Sequence, residues 1–392
     1  MKAEKIIGCL KFVSGLSRLS TRRLRALPIE PKKIVFNNFH GAGLGDHQGP
    51  ILRELIRRGC GYDYVWLVRD ESVAASLPEG VRGVRAGSPE AMREMMTAKL
   101  WCSNQSFTSM VLNGLVKRPG QCYLQTFHGS LGIKRVGADM PRNFKSRLAA
   151  RLLKREASMV DILVANATWE AEFVYRRRFF GFGETKLFGH ARNDLFFRDD
   201  AELSLRVRSA LGLAPEERFI LFAPTHRDSG AVAGLPDDVS AVASACAAKF
   251  GGKWRAVVRL HPNLRGKAKT LGLGPEVVDA TDYPDMQELL AVAGALVSDY
   301  SSCMFDFMLS RRPVFVYAPD LADYDGIRGF YYPMSETPFP ISKDESELAA
   351  NVTAFDEQKY RTSVEAFLRG KGCVEDGHAT ERVCDLIEER MK

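Results

Sequence analysis

The sequence predicts an α/β fold in which two parallel-sheet domains face each other across a cleft. Three observations lead to this class. Short apolar runs alternate with amphipathic helical segments, the alternation restarts near Arg198, and polar turns follow several of the apolar runs. A chain of 392 residues is long enough for two domains that each bury a core of their own.

The first series of elements runs from residue 34 to residue 179. Strands are predicted at residues 34–36, 64–68, 99–102, 121–126 and 162–165, and helices at residues 49–58, 91–98, 142–156 and 168–179. Helices between consecutive strands favour parallel pairing, because a crossover is needed to bring the next strand back in the same direction. We therefore expect an N-terminal Rossmann-like domain over residues 34–197.

The second series begins after Arg198. Its predicted strands are residues 219–223, 254–260, 295–297 and 313–317, and its predicted helices are residues 203–211, 239–250 and 286–293, with another beginning near Phe305. Glycine and proline in residues 229–237 predict a loop. A C-terminal Rossmann-like domain is therefore expected over residues 198–392, on the other side of the cleft.

The net charge of the chain is concentrated in residues 1–33. This segment holds nine basic and two acidic residues, a net charge of +7 that equals the charge of the whole chain. Apolar residues lie between the basic ones, as in an amphipathic helix that binds an anionic membrane surface. A solvated leader is the alternative. A second basic run, at residues 142–155, allows the same alternatives or contact with a polyanionic acceptor.

Composition excludes several classes of protein. The eight cysteines are scattered without zinc-like spacing, which predicts a reducing compartment, no metal and no cofactor. No apolar run has the length of a transmembrane helix, and Lys11 interrupts the apolar stretch that could begin a signal peptide. We expect a cytoplasmic protein without a nucleic-acid partner, and a homo-oligomer is left open.

The most informative segment is a polar turn, Ser298-Asp299-Tyr300-Ser301-Ser302. It follows a predicted strand and opens a helix, and ligands of open α/β sheets bind at this end of the strands. The unpaired N–H groups of a helix start, together with the hydroxyls of Ser301 and Ser302, would suit a phosphate. The alternative is an ordinary helix cap.

A histidine turn follows the predicted strand at residues 121–126. His128 comes directly after that strand, and a histidine with an unperturbed pKa near 6.5 suits a general base. Gly129 lets the backbone approach a ligand, and Lys134 supplies positive charge. Gly129, Ser130 and Lys134 are therefore candidates for binding the acceptor or a phosphate. The alternative is an ordinary histidine in a glycine turn.

Two further histidine-bearing turns follow strands of the second series. In the first, Thr225 and Arg227 can bind oxyanions, since arginine makes bidentate contacts. In the second, Arg259 and His261 lie on the same side of their strand, so both could meet a pyrophosphate. The alternative for each is a strand-end turn that carries a surface cation.

Two acidic positions lie near these turns. Asp306, one helical turn beyond Ser302, is a candidate contact to ribose, or else a solvent-facing helical carboxylate. Asp323 and Asp325 have the D-x-D spacing of some metal–nucleotide sites, but they lie in an acidic loop and are interpreted as structural. Without them there is no evident carboxylate cluster for Mg²⁺.

In this order the motifs resemble the CDP-glycerol glycerophosphotransferase family, which comprises the teichoic-acid primases and polymerases and their capsule-synthesis relatives. The resemblance covers residues 33–334 and rests on His128-Gly129, Gly189-His190-Ala191-Arg192-Asn193-Asp194, Ala223-Pro224-Thr225-His226-Arg227-Asp228, Arg259-Leu260-His261-Pro262, and Ser298 to Ser302 with Phe305-Asp306. It implies a GT-B fold, with the acceptor bound by the N-terminal domain and the donor by the C-terminal one. It also implies peripheral association with the inner face of the membrane.

The resemblance implies roles for two histidines. His128 resembles the family's proposed general base, and His261 resembles the histidine that binds the donor pyrophosphate. Several residues depart from the family pattern. Phe127 replaces a tryptophan, the turn lacks a proline, and Lys134 lies one residue further along. His190 stands where a proline is commoner.

The reaction that this resemblance implies is phosphoryl transfer. His128 would take the proton of an acceptor hydroxyl, the oxygen would attack the β-phosphorus of a CDP-alditol, and CMP would leave, with positioning and charge stabilisation supplying most of the rate. The acceptor would be lipid-linked or a polysaccharide. Three alternatives remain: a GT-B glycosyltransferase with a CMP- or UDP-sugar donor, a nucleotide-sugar epimerase, and a catalytically inactive nucleotide-binding protein of the membrane surface.

Overall fold

A computed structural model describes residues 21–136, 144–227, 232–261, 264, 271 and 273–392. The side chains of residues 144–149 and 327–328 are not described. Most of the predicted amphipathic segment, the start of the second basic run and part of the loop at residues 229–237 therefore lie outside the described residues.

The N-terminal sheet has seven parallel strands in the order β3-β2-β1-β4-β5-β6-β7. These are β1 Glu30–Asn37, β2 Asp63–Val68, β3 Val81–Arg85, β4 Ala98–Ser103, β5 Cys122–Gln125, β6 Ile162–Ala165 and β7 Glu184–Leu187. The central strands are almost continuously apolar, because helices cover both faces of a parallel sheet.

The C-terminal sheet has six parallel strands in the order β10-β9-β8-β11-β12-β13. These are β8 Arg218–Ala223, β9 Trp254–Val258, β10 Val278–Asp279, β11 Ala295–Ser298, β12 Val314–Tyr317 and β13 Ile341–Ser342. The strand order reverses between β1 and β4 in the first sheet and between β8 and β11 in the second. Such switch points open the crevices in which α/β proteins bind ligands.

The connections between strands are mostly helical. The α-helices are α1 Arg22–Arg25, α2 Gln48–Arg57, α3 Glu71–Ala75, α4 Pro89–Thr97, α5 Thr108–Leu112, α6 Phe144–Ala157, α7 Arg176–Arg178, α8 Ala201–Ala210, α9 Val239–Phe250, α10 Met286–Val292, α11 Cys303–Phe307, α12 Leu321–Arg328, α13 Glu345–Thr353, α14 Glu357–Gly370 and α15 Ala379–Met391. A π-helical stretch, Glu170–Tyr175, precedes α7, and 3₁₀ turns occupy Ala191–Phe197, Met308–Ser310 and Met334–Glu336.

The predicted fold class, two parallel-sheet α/β domains of the GT-B type, is confirmed. The sequence-based prediction missed four strands, β3, β7, β10 and β13, and all four are edges of their sheets. Edge strands bury only part of their surface, as the largely exposed β3 and β7 show, and β10 and β13 have two residues each. They consequently lack the apolar run by which the inner strands were recognised.

Within the described residues, backbone pairing links the two domains at two places beyond the direct connection. The segment after α14 pairs with the segment after β6, where Thr168 N donates to Gly372 O at 3.1 Å and Val374 N donates to Asn166 O at 2.9 Å. A second bridge joins Lys134 to Phe330. Backbone pairing of this kind fixes how the domains sit against each other.

Helix α15 lies in the part of the sequence expected for the second domain, yet it completes the core of the first. Val383, Cys384 and Ile387 are fully buried in one cluster with Ile51 and Leu52 of α2. The N-terminal sheet therefore has one face covered by residues from the end of the chain.

Replacing Ile387 by alanine should destabilise the protein, because the buried side chain leaves a cavity between α15 and the N-terminal sheet. The expected loss is about 2–5 kcal/mol, seen as a lower urea midpoint. Glu389→Ala, on the exposed face of the same helix, is the matched control and should change stability by less than about 0.5 kcal/mol. Similar midpoints for the two variants would show that α15 does not belong to this core.

Candidate active site

At the first switch point, polar side chains join the ends of β1 and β4. Asn104 Nδ2 donates to Asn38 Oδ1 at 2.7 Å and to Asp46 Oδ1 at 3.0 Å, and Asn104 Oδ1 accepts from Phe39 N at 2.9 Å. Phe39 and His40 have φ values of 43° and 55°, a left-handed conformation that is strained for residues with a side chain. The asparagine contacts hold this strained turn beside the cleft.

His128 is half-buried next to that turn. Its Nδ1 lies 2.9 Å from the backbone oxygen of Asn104, and because a carbonyl can only accept, Nδ1 carries the proton and Nε2 keeps its lone pair. The rings of Phe127 and Phe39 pack against the imidazole at centroid distances of 4.7 and 5.4 Å. Burial lowers the pKa of His128 below its usual 6.5, so the imidazole is neutral and basic at pH 7.

The second switch point is organised by the buried carboxylate of Asp299. Its Oδ1 accepts hydrogen bonds from the backbone N of Thr225 at 2.9 Å and from Thr225 Oγ1 at 2.5 Å, and its Oδ2 lies 2.9 Å from Arg227 Nη1. Ser298 Oγ donates to the backbone oxygen of Ala223 at 2.7 Å. These contacts tie the end of β11 to the end of β8.

Arg227 is enclosed on all sides. Its Nε and Nη2 donate to the two carboxylate oxygens of Asp320 at 2.8 and 3.0 Å. The guanidinium lies 4.9 Å from the ring centroid of Tyr300 and 4.8 Å from that of Tyr324, and the two rings stack on each other at 4.0 Å. With two carboxylates bound, this cation is already neutralised within the protein.

The hydroxyls of the predicted phosphate turn have a different setting. Ser301 and Ser302 are half-buried, and Ser302 occupies the N-cap of α11 without a side-chain cap bond. Ser301 Oγ accepts a hydrogen bond of 3.4 Å from the backbone N of Cys303. Ser302 thus stands at the N-cap position that the alternative expected, without the side-chain bond of an ordinary cap, and a contact of either hydroxyl with a phosphate stays a prediction.

The Arg259 and His261 pair follows β9. Arg259 Nη1 donates to the backbone oxygen of Tyr283 at 2.8 Å, and His261 is exposed with its ring 5.4 Å from that of His226. Partial burial, then the neighbouring His226 and Lys134, lower the pKa of His261. Lys134 belongs to the N-terminal domain, so the two domains share this basic corner of the cleft.

Arg192, from the 3₁₀ turn Ala191–Phe197, connects the two switch points. Its side chain is 3% exposed. Nη1 donates to Asp46 Oδ2 and to the backbone oxygen of His128, each at 2.9 Å. Nη2 donates to the backbone oxygen of Gly129 at 3.2 Å and lies 3.0 Å from Asp306 Oδ2. One guanidinium thus holds the histidine turn against helix α11, which begins at the predicted phosphate turn.

No group of three or more histidine, cysteine, aspartate or glutamate side chains with the spacing of a metal site occurs in the described residues. Asp323 and Asp325 are exposed on α12.

Comparison with known proteins decides the family. The family model described as CDP-Glycerol:Poly(glycerophosphate) glycerophosphotransferase matches residues 19–389. The chain belongs to this family. The resemblance inferred from the motifs is therefore confirmed.

The curated relatives of this glycerophosphotransferase-family chain include teichoic acid poly(glycerol phosphate) polymerases. That of Staphylococcus epidermidis is 29% identical over 384 residues, which cover 93% of this chain and 51% of the relative. That of Bacillus subtilis is 26% identical, with 98% of this chain and 54% of the relative covered. The chain thus spans about half the length of these two polymerases, whereas it covers 98% of the Bacillus spizizenii polymerase at 26% identity.

The solved structures similar to the chain include the wall teichoic acid polymerase TagF, with a TM-score of 0.82, 26% identity and coverage of 100% of this chain and 96% of that one. A histidine-to-asparagine variant of TagF soaked with CDPG has a TM-score of 0.81. A UDP-N-acetylglucosamine 2-epimerase from Listeria monocytogenes, at 14% identity and a TM-score of 0.53, shares the fold alone.

Several residues predicted to contact ligands are buried in the structure and already paired within the protein. Asp306 is 3% exposed and bound to Arg192, so its interpretation as a solvent-facing carboxylate is wrong. Ser130 Oγ accepts from Asn166 Nδ2 at 2.8 Å. Together with Ser298 and Asp299, these residues would have to exchange partners to touch a ligand, and that contact stays a prediction.

Five residues that organise the site had no role in the sequence-based prediction: Asp46, Asn104, Arg192, Asp320 and Gln287, which donates to Asp306. Asp46 and Asn104 follow the apolar strands β1 and β4, so each is a polar residue beyond a strand end. That signal becomes informative only when the strand order is known, since it makes β1 and β4 neighbours.

Replacing Asp299 by alanine should destabilise the C-terminal domain. The change removes the acceptor of the half-buried Thr225 N–H and one of the two carboxylates of Arg227. Breaking a buried ion pair from one side costs about 3–5 kcal/mol. The loss should appear as a lower urea midpoint in circular dichroism. Asp323→Ala, at an exposed position, is the control, and an Asp299→Ala midpoint equal to that of the control would contradict the role given to Asp299.

Proposed function

We propose that the chain is a transferase that moves glycerol phosphate, or a related alditol phosphate, from a CDP-alditol to a hydroxyl of a lipid-linked or polymeric acceptor with release of CMP. The observation that carries the proposal is His128, whose pKa is lowered by burial and whose Nδ1 is bonded to the Asn104 carbonyl so that Nε2 keeps its lone pair, in a chain that belongs to the glycerophosphotransferase family. The names of the relatives place such transfer in teichoic acid synthesis, and we extend that setting to this chain.

A cytidine diphosphate donor fits the C-terminal side of the cleft. The TagF variant that shares the fold was soaked with CDPG, which supports a donor of this class. In this chain, Arg259, His261 and Lys134 would supply the cations and hydrogen-bond donors that a diphosphate needs. Ser301 and Ser302 would add hydroxyl donors, while Arg227, Asp299 and Asp306 support the turn from beneath.

The chemistry is then an in-line displacement at phosphorus. His128 Nε2 accepts the proton of the acceptor hydroxyl as its oxygen bonds to the β-phosphorus, and the bond from that phosphorus to the CMP oxygen breaks. The negative charge that develops on CMP is met by the basic corner of His261, Arg259 and Lys134. Because the transferred group already bears its phosphate, no covalent enzyme intermediate is required.

Replacing His128 by alanine should reduce transfer at least 100-fold, because the acceptor hydroxyl loses its base, while CDP-glycerol still binds. The measurement is CMP release with a lipid-linked acceptor, paired with calorimetric titration of the donor. His378→Ala, at an exposed histidine, is the control.

Running the wild type with CDP-glycerol, CDP-ribitol, UDP-sugars and CMP-sugars distinguishes the competing functions. Turnover of a sugar donor alone would favour the glycosyltransferase. Donor binding without any CMP release would favour an inactive binding protein. Full activity of His128→Ala would show that His128 is not the general base.

We also propose that the protein acts at the inner face of the cell membrane. No helix within the described ranges has both the length and the apolar character needed to cross a bilayer. Residues 1–33 supply a basic segment whose described end is attached to the N-terminal domain, since Leu24 of α1 packs on that core while Arg22 and Arg23 are exposed. Each basic residue near an anionic surface contributes about 1 kcal/mol to binding.

Vesicle flotation checks this location. The full chain should float with phosphatidylglycerol vesicles and not with phosphatidylcholine vesicles, and binding should fall with added salt. Four glutamine substitutions in the segment should abolish flotation: Lys2, Lys5, Lys11 and Arg18. Four exposed positions elsewhere serve as the charge-matched control: Lys249, Lys253, Lys359 and Arg369. Equal loss in both sets would indicate attraction by net charge and not by the segment.

A further inference from the structure

Arg192 is the buried cation of this site whose partners come from both domains. Asp46 and the two backbone oxygens of the histidine turn lie on the N-terminal side, and Asp306 lies on α11 of the C-terminal side. A guanidinium presents its donors in a rigid planar fork, so it can satisfy several acceptors only in one arrangement. The positions of these four partners are therefore coupled.

We propose that Arg192 is a positioning residue for the transfer reaction, which holds the His128 turn at a fixed place relative to the donor-binding turn of the opposite domain. The inference rests on the proposed function. Arg192 is buried beneath the turn and acts through backbone oxygens and carboxylates, not through contact with either substrate.

The histidine turn needs such a support. Phe127 has a φ of 57°, and a Cβ on Gly129 would lie 2.7 Å from the Phe127 ring, so the turn is tightly folded and strained. The carbonyls of His128 and Gly129 both point at Arg192, which supplies the donors that keep the strained turn in place. Without those donors the turn is free to relax and to carry the imidazole with it.

Asp306, the partner of Arg192 in the C-terminal domain, is also held in place. Gln287 Nε2 donates to Asp306 Oδ2 at 3.1 Å, and Gln287 itself lies in the first turn of α10, where Asp285 caps the helix. Asp306 is thus oriented by a helix of its own domain before it meets Arg192. Any shift of α11 relative to the histidine turn would break the pairing, and a displacement of about 1 Å can cost roughly 100-fold in rate.

The charge of Arg192 also acts on the base. The groups that act on His128 include the Asn104 carbonyl and the Asp46 carboxylate, which favour the imidazolium, and Arg192 and Arg178, which oppose it, in addition to burial. The buried His47 also interacts with His128. Removing the guanidinium leaves Asp46 and Asp306 without their cation, so the pKa of His128 rises. A lysine at the same position keeps the charge but cannot reach four acceptors.

The experiment compares Arg192→Met and Arg192→Lys in the full chain, with CDP-glycerol and a lipid-linked acceptor. In both variants kcat should fall about 100-fold while the KM for CDP-glycerol changes less than about threefold, because the donor contacts are intact. In the pH profile of kcat/KM, the acidic limb should move to higher pH in Arg192→Met and stay in place in Arg192→Lys, because only the methionine removes the charge.

Arg312→Met is the matched control. Arg312 is a largely buried guanidinium of the C-terminal domain that donates to the backbone oxygens of Ala293 and Leu290. Its loss should lower thermal stability without moving the acidic limb. Asp306→Asn provides a second variant: it keeps the shape of the partner, and its effect on kcat should not add to that of Arg192→Met, because both changes break one contact.

Titration of the His128 ring by NMR gives a readout that does not need turnover, and a higher pKa in Arg192→Met than in the wild type and in Arg312→Met is expected. An unchanged pKa together with an unchanged kcat overturns the positioning role. A KM effect equal to the kcat effect also overturns it, since it would assign Arg192 to donor binding. If the wild type releases no CMP from any donor, the proposed function fails. The NMR comparison of the His128 pKa still tests whether Arg192 acts on the His128 turn.

Discussion

A guanidinium can be buried only where acceptors meet it from several sides, and Arg192 has them only when both domains are in place. Moving such a charge out of water costs several kcal/mol unless carboxylates and carbonyls replace the solvent. Asp46 and Asp306 each supply one carboxylate from opposite domains. The placement of the two domains and the geometry of the histidine turn therefore depend on each other, and backbone pairing between the domains supports both.

In both domains, polar side chains join the ends of the two strands at the switch point. Where the strand order reverses, the connections that follow the two neighbouring strands lead away to opposite sides of the switch point, and side chains join the strand ends. Asn104 does this between β1 and β4, and Asp299 does it between β8 and β11. The first pairing presents the carbonyl that sets the tautomer of His128, and the second one holds Arg227 in its aromatic enclosure. Polar groups that look like ligand contacts in the sequence are thus paired within the protein, where they join strand ends.

Because these polar residues pair with distant parts of the protein, only part of the fold and of the site could be predicted from the sequence. The inner strands and the turns after them are recognisable because burial on both faces demands apolar runs, which polar residues such as His128 must end. The edge strands lack that constraint. Asp306 looks the same in sequence whether it binds ribose or an arginine, since its partner lies 114 residues away at Arg192. Long-range pairing of this kind depends on how the two domains are placed, and a local pattern contains no information on it.

Under the proposed function, His128 and His261 would have different tasks. Both have lowered pKa values, His128 chiefly through burial and His261 through burial and the nearby His226 and Lys134. A diphosphate bound at the basic corner would add negative charge next to His261 and raise its pKa, so that it could donate to the phosphate. His128 is bonded instead to the Asn104 carbonyl, and Arg192 holds the backbone oxygen of its turn. Donor binding would then separate the two pKa values, leaving a base for the acceptor and a donor for the leaving group, which is the difference that phosphoryl transfer by two histidines requires.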